Sequence, residues 1–224
     1  MSIKSKVFAA AATATMAAGV CTVGALPAAA ATPQCGPHCI QIFSAKFGTP
    51  EYPRFVESVF RGIAKAGVPT GLHRVSGNNP AGDMIVRRAG MVSDFYAAGM
   101  VSAAVNNHYG TLQGVQIEYA PRGNATGLCA GLATTAYQNE PLTLEPCSTP
   151  GTTVFIIDTA DSPATAPTYF PIVNGSTTNF AHPFAMTIDG NPAHTRFLPI
   201  RVRHLVGNPG HVPANQLWGS VVLN

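Results

Sequence analysis

The side chains that most often carry chemistry in proteins are scattered through this chain of 224 residues. It has seven histidines, five cysteines and ten carboxylates. His182, His194, His204 and His211 are never two or four residues apart, the spacings that place a pair on one face of a strand or a helix. Metal-binding motifs use such spacings, so we expect no metal site and no bound cofactor.

No catalytic motif is present either. The chain lacks the Gly-x-Ser-x-Gly turn, the His-Glu-x-x-His pair, a phosphate-binding glycine loop and the dinucleotide-binding fingerprint. We therefore expect no catalytic residues. The enzymatic alternative is a hydrolase in which Ser, His and Asp come together from distant loops.

Four of the five cysteines lie beyond the N-terminal segment, and an even number in an exported protein favours disulfides. Four cysteines allow three pairings. We favour Cys129 with Cys147, because they lie on neighbouring predicted strands, and Cys35 with Cys39, which closes a short loop. The alternative for the second pair is a redox or metal site that uses His38.

The N-terminal segment has the features of a cleaved export signal. Lys4 and Lys6 precede an apolar run over residues 7–26, and small residues follow it up to Ala31. The alternative is a membrane anchor, since about twenty apolar residues can span a bilayer. The alanine-rich run and the small residues that end it favour cleavage. We predict that residues 1–31 are removed and that the mature protein is secreted and extracellular.

Residues 32–224 are nearly neutral and rich in turn-forming residues. They hold eleven basic and ten acidic residues, a balance that favours neither nucleic acid nor a membrane surface as a partner. Charged residues make up only 10% of the chain, and 22 glycines with 19 prolines favour short strands over helices. We expect residues 32–224 to form a single all-β domain with one core.

The strand-like runs fall into three sets, which predict three four-stranded modules at residues 39–110, 111–160 and 168–224. The central set is the clearest, with runs at residues 115–121, 129–133, 142–147 and 153–158. In the first set, residues 55–66 favour a strand followed by a turn, and residues 92–96 and 101–105 are predicted as strands. A module cannot bury one face alone, so the three modules should close on one another. The alternative is a β-sandwich.

Three segments resemble a known family. They are residues 128–133 (Leu-Cys-Ala-Gly-Leu-Ala), 142–147 (Leu-Thr-Leu-Glu-Pro-Cys) and 215–218 (Asn-Gln-Leu-Trp). They are similar to the repeat signature of ricin-B-type β-trefoil lectins, in which paired cysteines precede a Gln-x-Trp strand. The chain also resembles exported bacterial proteins that carry a divergent domain of this kind. The resemblance implies a β-trefoil-like fold with Trp218 in the core, where its indole N–H needs a partner.

The resemblance also implies a sugar site in the third module. In such lectins an Asp accepts hydrogen bonds from sugar hydroxyls, an aromatic ring stacks on the sugar, and an Asn beside the Gln completes the site. These roles fall on Asp189, His204, Asn215 and Gln216. The central module lacks these residue types. The alternative role of Asp189 is to form the turn that follows it.

The leading interpretation is a secreted, non-catalytic, lectin-like protein that binds a carbohydrate such as a cell-wall polysaccharide. The alternatives are a protein-binding module such as a protease inhibitor, since plant trypsin inhibitors have a similar scaffold, a hydrolase, or a structural protein of the cell envelope. An inhibitor needs a rigid exposed loop with a basic tip. Residues 120–123 and 85–89, with Arg122 and Arg88, are the candidates.

Overall fold

The computed structural model describes residues 39–49, 52–53, 55–74, 79–163, 168–191, 196–207 and 210–222. The predicted export signal and Cys35, one half of the predicted Cys35–Cys39 disulfide, lie outside these residues. Within these ranges, no helix has the length and apolar character needed to cross a membrane.

The described part consists mainly of short β-strands with two short α-helices. The strands of the first unit are β1 (Cys39–Ser44), β2 (Gly48–Thr49), β3 (Tyr52–Pro53), β4 (Phe55–Val59), β5 (Thr70–Arg74) and β6 (Met84–Met91). The helices α1 (Val92–Ala97) and α2 (Ala103–Tyr109) follow. The second unit has β7 (Gln113–Tyr119), β8 (Leu128–Gly131), β9 (Glu140–Pro141), β10 (Thr143–Pro146) and β11 (Phe155–Ile157). The third unit has β12 (Ile172–Asn174), β13 (Phe184–Ile188), β14 (Leu198–His204) and β15 (Trp218–Val222).

Six strands form a closed antiparallel ring. Their order is β15, β1, β6, β7, β11 and β12, so each unit supplies its first and last long strand. The ring closes where Phe170, just before β12, exchanges two backbone hydrogen bonds with Trp218, each with an N···O distance of 3.0 Å. Closure leaves no free edge on this ring of strands.

The other long strands form three hairpins, one in each unit. The hairpins are β4–β5, β8–β10 and β13–β14. They pair with one another: Leu72 of β5 lies opposite Leu198 of β14, Pro69 bridges to Thr143, and β9 pairs with β14. A closed ring with three mutually paired hairpins is a β-trefoil arrangement. The predicted all-β, trefoil-like fold is confirmed, and the chain does not form the alternative β-sandwich.

Trp218 lies at the centre of the main apolar core. Its side chain is fully buried, and the indole N–H donates a hydrogen bond to the Met186 carbonyl at 2.8 Å. The buried N–H therefore has the partner that it needs. The predicted core role of Trp218 is confirmed.

The prediction of strands at residues 92–96 and 101–105 is wrong, because residues 92–96 lie in α1 and residues 101–105 lead into and begin α2. In α1 the Asp94 carboxylate accepts the Met91 N–H at 2.9 Å, which satisfies a free donor at the helix start. In α2 the Ser102 hydroxyl oxygen accepts the Val105 N–H at 3.2 Å. Val105 and Tyr109, four residues apart, are both buried in a second apolar cluster. This spacing and the Ser cap were the available helical signals.

The predicted Cys129–Cys147 disulfide is confirmed. The two cysteines are bonded, their Cα atoms lie 4.9 Å apart, and β8 pairs directly with β10 beside them. Both side chains are buried. The bond therefore joins the two strands of the second hairpin within the core.

Glu57 of β4 is a buried carboxyl group that meets no donor in hydrogen-bond geometry among the described residues. It is 1% exposed and shares the core-facing side of the β4–β5 hairpin with Val59 and Leu72. Burial raises the pKa of Glu57 to about 7, and the nearby Thr70 hydroxyl opposes this increase to a smaller extent. The carboxyl group therefore keeps its proton at mildly acidic pH.

Replacing both Cys129 and Cys147 with Ala should lower the free energy of unfolding by about 2–5 kcal/mol, because the bond restricts the unfolded chain. Urea denaturation of the oxidised native protein and the double variant measures the difference. Equal midpoints and slopes for the two proteins would contradict a stabilising disulfide.

Glu57→Gln should remove a pH dependence of stability. The unfolded carboxyl group ionises near its ordinary pKa of 4.5, whereas the folded one keeps its proton up to about pH 7. The free energy of unfolding should therefore fall by about 3 kcal/mol as the pH rises across this interval. An amide cannot titrate, so the variant should lack this fall. Urea denaturation at about pH 5 and about pH 8 compares the two proteins, and an equal loss of stability in both would contradict the prediction.

Candidate functional site

Asp189, the predicted sugar acceptor, is held by an arginine. Its two carboxylate oxygens accept hydrogen bonds from the two terminal nitrogens of Arg203, at 2.6 Å and 3.2 Å. Asp189 follows the end of β13 that pairs Ile188 with Ile200, whereas His204 pairs with Phe184 at the other end of the hairpin. The structure therefore does not place Asp189 beside His204, and its carboxylate is occupied by a partly exposed ion pair.

Gln216 holds the third hairpin in place. It is buried, and its amide nitrogen donates to the Thr187 hydroxyl at 2.9 Å and to the His204 carbonyl at 3.0 Å. Its amide oxygen accepts the Val206 N–H at 2.9 Å. The neighbouring Asn215 is half-buried on the same short turn. The hydrogen bonds of Gln216 are thus used within the protein, which is a structural role.

The His204 ring packs against an aromatic neighbour on one face, and one of its ring nitrogens is hydrogen-bonded to the backbone. Its ring stacks on Phe184, with the ring centroids 4.2 Å apart. Its Nδ1 lies 2.6 Å from the His182 carbonyl oxygen. A carbonyl oxygen can only accept, so Nδ1 carries the proton, and in the neutral ring Nε2 is an acceptor. His204 can therefore accept a hydrogen bond from a ligand hydroxyl, the role predicted for Asp189.

Sequence reasoning missed an exposed aromatic residue on a turn that is hydrogen-bonded to the backbone of this histidine. Tyr137 begins a turn in which the Glu140 N–H donates to its carbonyl at 3.2 Å. Asn139 in this turn has a φ of 70°, a left-handed conformation that Asn tolerates better than most residues. The Tyr137 side chain is 53% exposed and, in the described part of the chain, makes no hydrogen bond or ring contact. The Tyr-Gln-Asn sequence was the only signal for this turn.

The turn of Tyr137 is attached to β14 by side-chain hydrogen bonds. The Gln138 side-chain oxygen accepts the His204 N–H at 3.0 Å. A terminal nitrogen of Arg201 donates to the Asn139 carbonyl at 2.8 Å. These contacts, together with the pairing of β9 with β14, fix the turn against the third hairpin. The Tyr137 ring, His204 and Arg201 therefore lie around one rigid turn between the second and third units.

The basic segments proposed for a protease inhibitor differ in structure. Residues 85–89 lie within β6, and Arg87 there forms an ion pair with buried Glu118 at 2.9 Å. Arg122 is exposed in a turn, with a φ of 55° and its N–H donating to the Asp83 carboxylate at 2.7 Å. Of the two segments, only residues 120–123 form an exposed turn with an arginine at its tip.

Asp158, a carboxylate that could take part in hydrolysis or metal binding, is engaged in local structure. Burial raises the pKa of Asp158, and Asp161 adds to the rise. The Asp158 carboxylate accepts the N–H groups of Ala160 and Asp161, so it caps a turn. Among the described residues, no group of three or more His, Cys, Asp or Glu side chains is arranged to hold a metal ion.

Comparison with known proteins supports the fold. No family model matches the chain, and no curated protein matches it. Among solved structures, it is similar to the designed threefold-symmetric β-trefoil ThreeFoil, with a TM-score of 0.53 and 10% identity over 83% of this chain and 99% of that chain. A mosquitocidal holotoxin matches with a TM-score of 0.51 and 12% identity over 83% of this chain, which spans only 17% of the toxin chain. At such identities the likeness shows the fold alone.

Gln216→Ala should destabilise the protein more than Asp189→Ala. Losing the Gln216 amide leaves the Val206 N–H and the His204 carbonyl without partners, and each loss costs about 1–3 kcal/mol. The partly exposed Asp189–Arg203 ion pair should contribute less than about 1 kcal/mol. Urea denaturation of both variants compares the two losses, and a larger loss for Asp189→Ala would reverse these assigned roles.

Proposed function

We propose that this protein is an exported, non-catalytic binding protein whose ligand is a glycan. The exposed Tyr137 ring on the rigid turn beside His204 is the observation that carries this proposal. A trefoil fold is compatible with binding but does not specify it, so the argument depends on this surface. The N-terminal export signal predicted from the sequence supports an extracellular ligand.

The Tyr137 surface has the chemistry that a sugar requires. A pyranose presents a face of C–H groups, which can stack on an aromatic ring, and a rim of hydroxyls, which need donors and acceptors. Tyr137 offers the ring, and its two side-chain torsions cost little entropy to order. His204 offers an acceptor, and the Tyr137 hydroxyl can both donate and accept.

The proposed site is shallow, so a single site should bind weakly. Burying one ring face gains little free energy, whereas several sugar hydroxyls must be desolvated on binding. Millimolar affinity, about −4 kcal/mol, is expected for one site. Longer oligosaccharides should bind more tightly where they contact neighbouring surface.

The competing function, protease inhibition, has less support. Arg122 lies on an exposed, anchored turn, but its backbone is left-handed. Peptides that bind by strand addition are extended, which this turn is not. Glycan binding is therefore the function that the described surface supports best.

Tyr137→Ala should abolish glycan binding without destabilising the fold, because its side chain is exposed. We would titrate the mature protein with neutral and charged oligosaccharides by NMR at up to tens of millimolar, roughly ten times the expected dissociation constant. Tyr96→Ala is the matched control, since Tyr96 is 44% exposed on α1, an element outside the proposed site.

Three outcomes would overturn the proposal. They are an absence of shifts with every oligosaccharide, shifts confined to surfaces away from Tyr137, and an equal loss of binding in the Tyr96→Ala control. The first outcome would favour a protein partner, such as the one expected for an inhibitor.

A further inference from the structure

Among the described residues, the basic side chains are exposed or partly exposed, whereas about half of the acidic ones are buried. None of the ten described lysine and arginine side chains is buried. Five of the nine described carboxylates are buried: Glu57, Asp83, Glu118, Glu140 and Asp158. In the described part of the chain, ten basic side chains but only four carboxylates therefore reach the surface. Such a surface attracts anionic ligands over a distance set by the ionic strength.

The turn of Tyr137 shows the same imbalance at close range. Of the two carboxylates nearest to it in sequence or through β14, one is buried and the other is in an ion pair. Glu140 is buried and accepts the Thr134 N–H and hydroxyl, each at 3.0 Å, while Asp189 is paired with Arg203. Among the described residues of this turn, Glu140 is the carboxylate, and its burial leaves no exposed oxygen to accept a sugar hydroxyl.

Arg201 supplies a cation at the same turn. It is half-buried on β14, and one terminal nitrogen donates to the Asn139 carbonyl. A guanidinium group has five N–H donors, so this contact orients Arg201 while most of its donors stay available. A planar guanidinium held in one orientation suits an anion with two or three oxygens.

We propose that the glycan bound at Tyr137 carries an anionic substituent, a carboxylate or a sulfate ester, which pairs with Arg201. This inference rests on the proposed glycan-binding function and specifies its ligand class. Tyr137 stacks on the sugar ring, and Arg201 forms charge-assisted hydrogen bonds with the anionic group. The charge-assisted hydrogen bonds between Arg201 and the substituent hold the sugar at a turn whose described residues offer no exposed aspartate to its hydroxyls.

The test compares three oligosaccharides of equal length: an oligogalacturonate, a sulfated galactan fragment and a neutral galactan fragment. Calorimetric or NMR titration of the mature protein at low salt should show about tenfold tighter binding for at least one anionic ligand, a preference that weakens at high salt. The two anionic titrations distinguish carboxylate from sulfate.

Arg201→Gln should remove the preference for the anionic ligand and leave binding of the neutral fragment in place. Arg201→Lys keeps the charge and should retain part of the preference, which separates loss of charge from a shifted turn. Arg74→Gln is the matched control, since Arg74 is an exposed arginine on β5.

The outcomes separate this inference from the proposed function. Equal binding of neutral and anionic fragments that still depends on Tyr137 would overturn the anionic ligand and leave glycan binding intact. Equal effects of Arg201→Gln and Arg74→Gln would overturn a specific role for Arg201 in favour of general surface charge. Failure of all three oligosaccharides to bind would overturn both proposals.

Discussion

Closure of the strand ring at Trp218 is the constraint on which the rest of the fold depends. The backbone of Trp218 joins β15 to Phe170, and its indole N–H joins the ring to Met186 in the third hairpin. Short strands are marginal by themselves, so they need closure and a shared core to be stable. The position of the third hairpin, with His204 at its end, is therefore set by core packing and is available before any ligand binds.

The third hairpin uses for its own stability some of the polar groups that a lectin would offer to a sugar. The Gln216 side chain hydrogen-bonds to β13, to β14 and to Val206 just after β14. A buried amide must use its donors and acceptor within the protein. Asp189 is balanced by Arg203. The groups that remain at the surface are His204 and residues of the turn from the preceding unit. Under the proposed function, the ligand site therefore lies at the junction between the second and third units, where these surface groups meet.

Burial changes the electrostatic character of the molecule as well as its stability. Glu57 faces the core, where burial raises its pKa to about 7, whereas buried Glu118 pairs with exposed Arg87. Each case follows from the cost of removing an ion from water: the first group holds its proton to a higher pH, and the second lies close to a cation. The charge that solvent and ligands meet is therefore different from the charge counted along the chain.

The local pattern of the chain predicted most of the strands and the partner of Cys129. Val, Ile and Phe at alternating positions, bounded by Gly and Pro, indicate strands, and two cysteines on neighbouring predicted strands favour one of the three possible pairings. The prediction of strands at residues 92–96 and 101–105 fails because the helical signals there, a Ser cap and two apolar residues four apart, are short. Contacts between α1, α2 and the ring stabilise these helices.

The tertiary structure alone decided which candidate side chains meet. Asp189, His204 and Gln216 have a lectin-like order in the chain, but hairpin register separates the first from the second and burial commits the third to the core. The turn of Tyr137 and Arg201 lie more than sixty positions apart in the sequence, and Arg201 contacts this turn because β9 pairs with β14. Sequence records local preference, whereas contacts between distant strands depend on ring closure and on which polar groups the core must satisfy.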